Sequence, residues 1–96
     1  MQGVIVELQY GDDFDRARIE GVAREVRGRF EGMPGLRQKA FTVDEGSRRA
    51  TNIYLWDSAE AAHEFFSDEL REGVMQLYGV RPTVSFVEVA QLVDNS

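Results

Sequence analysis

Asn52, Tyr54 and Trp56 stand at i, i+2 and i+4 in the stretch Arg49 to Trp56. In extended backbone, alternate side chains share a face, so these three put an amide, a phenol and an indole N–H along ~13 Å of one side. Polar donors interleaved with aromatic area suit a flat, oxygenated ligand. The same residue types also suit a subunit interface, and one face can serve both ends. Lys39 and Phe41 lie in the preceding extended stretch. The parity that keeps the Lys39 charge from being buried without a partner adds both of them to this face. Glu7 and Glu88 fall inside extended stretches and, with Phe86, are assigned to the same side. A carboxylate lining an apolar cavity has a raised pKa and can act as a base near neutrality. Glu7 is therefore the first carboxylate candidate for a base. Asn52 and Trp56 can hold a ligand's oxygens and ring, Tyr54 can donate a hydrogen bond, and Lys39 can stabilise developing negative charge.

Other chemistries are excluded by residues the chain lacks. There is no cysteine, which removes disulfides, thiolate nucleophiles, iron–sulfur clusters and thiolate zinc sites. One histidine, His63, cannot build a site of two imidazoles. The run His63-Glu64-Phe65-Phe66-Ser67 opens like a zinc-protease helix but has no second histidine. No glycine-rich phosphate loop, nucleophile elbow or EF-hand loop is present. The net charge of −6 opposes binding to a phosphate backbone or an anionic membrane. Asp12-Asp13 and Asp68-Glu69 sit at helix starts, where capping accounts for them. The expected chain is a single cytoplasmic domain over residues 1–96, with no metal and no cofactor.

The elements that must position these residues follow from periodicity. Val4 to Tyr10 alternates as a strand, with Val4, Val6 and Leu8 on one face and Ile5, Glu7 and Gln9 on the other. Phe14, Ile19, Val22, Ala23, Val26 and Phe30 recur at helical spacing, and Gly32-Met33-Pro34-Gly35 ends that helix. Leu36 to Asp44 reads as a second strand, Glu45-Gly46-Ser47 as a hairpin turn, and Arg49 to Trp56 as a third strand. Asp57-Ser58-Ala59-Glu60 caps a second helix, which breaks and restarts at Ser67-Asp68-Glu69 and stops at Gly79. Val84 to Val93 reads as a long last strand.

The order βαββαβ predicts a ferredoxin-like α+β sandwich, a four-stranded antiparallel sheet with helices on one face. The other face is expected to carry Ile5, Phe41, Tyr54, Trp56 and Phe86, mixed with Glu7, Gln9, Asn52 and Glu88. An apolar patch of that size needs a cover, and a second copy of the chain is the simplest one.

Met33-Pro34-Gly35-Leu36-Arg37-Gln38-Lys39-Ala40-Phe41, followed by Ile53-Tyr54-Leu55-Trp56-Asp57-Ser58-Ala59-Glu60-Ala61-Ala62, resembles the dimeric α+β-barrel superfamily of antibiotic-biosynthesis-type monooxygenases. Gly79-Val80-Arg81-Pro82 before the last strand narrows the resemblance to the YdhR-like branch. The resemblance covers nearly the whole chain and implies a homodimer whose sheets face each other. It implies oxidation of an aromatic, phenolic small molecule by dioxygen without metal or flavin, as in quinone-forming members. In those, an asparagine and a tryptophan four apart on the third strand address the substrate, a spacing Asn52 and Trp56 match. The catalytic set expected on this basis is Asn52, Tyr54, Trp56 and Glu7, and the substrate-binding set is Lys39, Phe41, Phe86 and Glu88. Haem-degrading relatives need a histidine after the helix restart, where Leu70 to Gln76 has none. Two alternatives share the barrel: a polyketide cyclase or lactone isomerase using Glu7, Glu88 or Lys39 for proton transfer, and a non-catalytic small-molecule-binding dimer.

Overall fold

The computed structural model describes residues 1–95. Strand β1 (Gln2–Gln9) is followed by helix α1 (Arg16–Val26), a 3-10 turn (Arg27–Arg29), β2 (Leu36–Asp44) and β3 (Arg49–Trp56). Helices α2 (Ala59–Phe65) and α3 (Asp68–Tyr78) and strand β4 (Thr83–Glu88) complete the chain. The four strands form one sheet in the order β2-β3-β1-β4, with every neighbouring pair antiparallel. This is the ferredoxin-like α+β arrangement expected from the element order.

Local chemistry sets the element ends. The Asp15 carboxylate accepts from the Arg18 N–H at 3.2 Å and starts α1. Ser58 and Ser67 do the same for α2 and α3, accepting from the Ala61 and Leu70 N–H groups. Gly79, in the left-handed region, ends α3. Gly35 has φ +82°, and a Cβ there would sit 3.1 Å from that of Ala61. Gly35→Ala is therefore expected to cost about 1–2 kcal/mol. A melting curve should show this as a fall of about 4–16 °C. An unchanged melting temperature would mean that the turn relaxes freely.

Strand register overturns the expected assignment of faces. Val4 lies opposite both Tyr54 and Phe86, and Val6 lies opposite Asn52. Lys39 lies opposite Tyr54, and Phe41 opposite Asn52. Residues directly opposite one another share a face. Since Val4, Val6 and Leu8 pack under the helices, Asn52, Tyr54, Trp56, Lys39, Phe41 and Phe86 must do so as well. Gln2 faces Glu88, which gives Glu88 the same parity at the strand end. A β-bulge between Leu36 and Gln38 contributes to the reversal. It lets Leu36 and Lys39 point to one side although their positions differ by three.

The uncovered face carries Ile5 and Glu7 from β1 with Thr51, Ile53 and Leu55 from β3 and Ser85 and Val87 from β4. It is aliphatic and polar rather than aromatic, with Ile53 46% and Val87 42% exposed. The last strand also ends earlier than the apolar run through Val93 implies. Glu88 pairs with Gln2, the first residue of β1, and the Val89 N–H donates to the Met1 carbonyl. Leu92 and Val93, beyond the strand, are exposed.

Two buried clusters make the core. One joins Val4, Val6, Tyr54 and Trp56 to Ala62 and Phe66, and the other joins Leu8, Tyr10 and Ala50 to Ile19 and Tyr78. Among the described residues, no helix is long and apolar enough to cross a membrane.

Candidate functional site

Between the sheet and its helices lies a cavity of about 240 Å³. Asn52 and Tyr54 of β3 and Lys39 of β2 reach it from the sheet. Phe30 closes it from the end of the 3-10 turn, Phe65 from α2, and Leu70 and Tyr78 from α3. Its volume falls just below the ~300 Å³ at which small-ligand sites begin, so it suits a compact ligand. A second, more open cleft of about 480 Å³ runs between α1 and β2, and Phe30 and Lys39 line both spaces.

Asn52 is buried, 4% exposed. Its amide interacts with the Tyr78 hydroxyl, which offsets part of the upward push that burial gives that phenol. The Tyr54 ring stacks on Trp56 at 6.2 Å between centroids, with planes 11° apart, and meets the edge of Phe66 at 4.9 Å. Burial raises the Tyr54 pKa well above the usual phenol value, so this hydroxyl is a neutral donor and acceptor near pH 7.

The Lys39 Nζ lies 2.7 Å from the Tyr54 hydroxyl. It also sits 3.3 Å from the Phe30 ring centroid, 4.2 Å from that of Phe41 and 4.3 Å from that of Tyr54. Among the described residues no carboxylate pairs with it. Burial pushes its pKa down to about 7, while three ring faces favour the ammonium and limit that fall. The objection that a helix-side lysine would be buried without a partner is thus answered by aromatic faces and one hydroxyl.

The shift has a consequence for stability. Between about pH 7 and pH 10 the unfolded chain binds a proton at Lys39 that the folded chain does not. Stability is therefore expected to rise with pH across that window, by at most about 4 kcal/mol, at 1.36 kcal/mol per unit. Above pH 10 the sign reverses, because Tyr10, Tyr54 and Tyr78 have raised pKa values and the folded chain then holds the extra protons. Urea midpoints at pH 7 and pH 9.5 should show the rise in the parent and a much smaller one in Lys39→Met. Equal slopes would mean that Lys39 titrates as it does in water.

The remaining expected site residues are dispersed. Trp56 does not open on the cavity. It lies behind Tyr54, 2% exposed, and its Nε1 has no hydrogen-bond partner among the described residues. Phe41 opens on the neighbouring cleft instead. Phe86 stacks on His63 at 4.1 Å, away from the cavity, and Glu88 is exposed at the end of β4. Glu7 lies opposite Thr51 and Thr83 on the uncovered face, so the sheet separates it from Asn52. Phe30, Phe65, Leu70 and Tyr78 were legible only as parts of apolar helix stripes. For Tyr78 the available signal was a phenol on such a stripe, which needs a polar partner when buried. Among the described residues, no group of three or more His, Cys, Asp or Glu could hold a metal ion.

This ferredoxin-like sheet-and-helix frame matches solved structures that include antibiotic biosynthesis monooxygenases. The chain is similar to a monooxygenase from the gene ActVA-Orf6 of Streptomyces coelicolor, solved with nanaomycin D, at 20% identity and TM-score 0.71 over 99% of this chain and 92% of the other. It is similar to a mutant of SnoaB, a cofactor-independent oxygenase from Streptomyces nogalater, at 13% identity and TM-score 0.66 over 96% of both chains. A Deinococcus radiodurans protein assigned to antibiotic biosynthesis monooxygenases matches at 12% identity and TM-score 0.70, over 100% of this chain and 99% of the other. No family profile and no curated relative matches the chain.

Proposed function

We propose that the chain is a cofactor-independent monooxygenase of the YdhR-like branch that oxidises a compact phenol to a quinone. The observation that carries this reading is the cavity between sheet and helices on which an amide, a phenol and an amine converge beside aromatic walls. The fold it shares with a cofactor-independent oxygenase supports the same chemistry. A phenolate bound there passes one electron to dioxygen, giving a phenoxyl radical and superoxide. Their recombination at a ring carbon forms a carbon–oxygen bond and leaves a peroxide anion. That anion takes back the proton the phenol gave up, and loss of water from the resulting hydroperoxide leaves the quinone. The protein's share is to desolvate, orient and hold the phenolate, with Asn52 and Tyr54 as hydrogen-bond partners. Trp56 serves by holding the Tyr54 ring from behind.

The working form in this proposal is a homodimer that covers the face of Ile53, Leu55 and Val87. Light scattering at micromolar concentration should give twice the 10.9 kDa chain mass. The reading itself is tested by oxygen uptake with hydroxynaphthalenes, in protein treated with chelator. Stoichiometric uptake with quinone formation is the expected result. A substrate-dependent ultraviolet change without oxygen uptake would point to a cyclase or isomerase instead.

A further inference from the structure

The Lys39–Tyr54 pair bears on a step that the reading above leaves open. A phenol must lose its proton before it can reduce dioxygen, and neither Glu7 nor Glu88 reaches the cavity. Lys39 and Tyr54 both line it, and their polar atoms are 2.7 Å apart. Burial disfavours the ammonium form of Lys39, and among the described residues no carboxylate lies within ion-pair distance of it, which favours the neutral amine. In that state the Tyr54 O–H donates to Nζ, leaving the Tyr54 oxygen free to accept from a ligand.

We propose that Lys39 is the proton acceptor of this cavity, taking the proton of a bound phenol through the Tyr54 hydroxyl. The inference rests on the phenol-oxidation reading. The ligand O–H bond breaks as its proton joins the Tyr54 oxygen, and the Tyr54 proton passes to Nζ. Tyr54 is regenerated, and the products are a phenolate and a Lys39 ammonium. The transfer replaces two neutral groups by an ion pair inside an apolar space, where their attraction offsets the difference in intrinsic acidity. Among the described residues, the other titratable or charged groups lining the cavity are Tyr78, Glu69 and Arg29. Arg24, Arg27, Arg37 and Glu31 face Lys39 from the open cleft. Of these, Arg24, Arg27 and Arg37 are engaged with Glu20, Glu31 and Asp57 at 3.3–4.0 Å.

The test uses 2-naphthol, whose neutral and ionised forms absorb differently, with the full chain at pH about 8, one unit above the value of about 7 to which burial brings Lys39. Binding is followed by absorption, and the protons released are counted by calorimetric titration in two buffers of different ionisation enthalpy. The bound probe should absorb as naphtholate at least tenfold more than free probe at the same pH, with almost no proton released. Lys39→Met should bind 2-naphthol in its neutral form. Its unbranched apolar side chain keeps the packing against the rings, so the variant should fold. Lys39→Arg, permanently charged, should bind naphtholate and release one proton for each probe bound. If the parent also releases one proton, Lys39 is only a fixed charge and the proposal fails. If Lys39→Met ionises the probe as the parent does, the acceptor lies elsewhere and the proposal fails. If the parent does not bind the probe at all, the phenol reading falls and takes this inference with it.

Discussion

Replacing Asn52 by alanine is expected to slow oxygen-dependent turnover of a phenol by about 100-fold or more, the usual cost of removing one pre-aimed hydrogen-bond donor. The loss should fall mainly on kcat. An amide N–H gains more from a phenolate, or from the superoxide formed beside it, than from the neutral phenol. Asn52 is placed for this role by β3, with its backbone held between β1 and β2 and its side chain at the cavity opposite Tyr78. The same replacement leaves the Tyr78 hydroxyl short of a partner, so a stability loss of about 1 kcal/mol should accompany it. Oxygen-electrode rates beside a melting curve separate the two effects. Turnover within threefold of the parent would show that the face under the helices is packing and nothing more.

Trp56→Ala is expected to cost about 3–5 kcal/mol of stability, a large share of what a domain of this length possesses. The indole is the largest fully buried side chain. It stacks on Tyr54 and lies 5.0 Å from Phe65 between ring centroids. Trp56→Phe should behave quite differently, costing under about 1.5 kcal/mol. Most of the aromatic contact survives, and the buried N–H without a partner disappears, which returns part of its ~1–3 kcal/mol desolvation cost. Urea denaturation of both variants checks the pair. Equal losses in the two would mean that the indole N–H has a partner and that its hydrogen bond, not the ring, carries the stabilisation.

The parent indole also reports on the proposed chemistry. Its ring backs Tyr54, the hydroxyl that links Lys39 to the cavity. A substitution at Trp56 that shifts the Tyr54 ring should therefore alter turnover even though Trp56 does not line the cavity. This separates a supporting role from direct contact with the ligand, which Asn52 alone of the two can make.

Element order and most element ends could be read along the chain because their causes are local. β2 and β3 span the same residues as the periodicity implies. Ser58 and Ser67 cap α2 and α3 from within their own turns, whereas α1 is capped by Asp15 rather than by the expected Asp12-Asp13, which lie in the preceding turn. From such signals the ferredoxin-like order follows without any long-range information. The spacing of Asn52, Tyr54 and Trp56 on one face was equally local, since side-chain direction repeats every two residues in a strand.

Which face that was could not be read locally. A shift of one residue in pairing moves every side chain of a strand to the other side of the sheet. The choice was made by Val4 opposite Tyr54 and by the bulge that brings Lys39 into line with it. The aromatic content of β3 pointed to an open face needing a partner, yet those rings meet Phe65 and Phe66 of the chain's own second helix segment. Lys39 is the clearest case. As the one lysine in the sequence it belonged in water, and only the folding of Phe30, Phe41 and Tyr54 around it makes burial tolerable. Periodicity along the chain thus decides what each element is and which side chains travel together. Pairing between strands distant in sequence decides which way they point, because register is a property of two strands and is written in neither one.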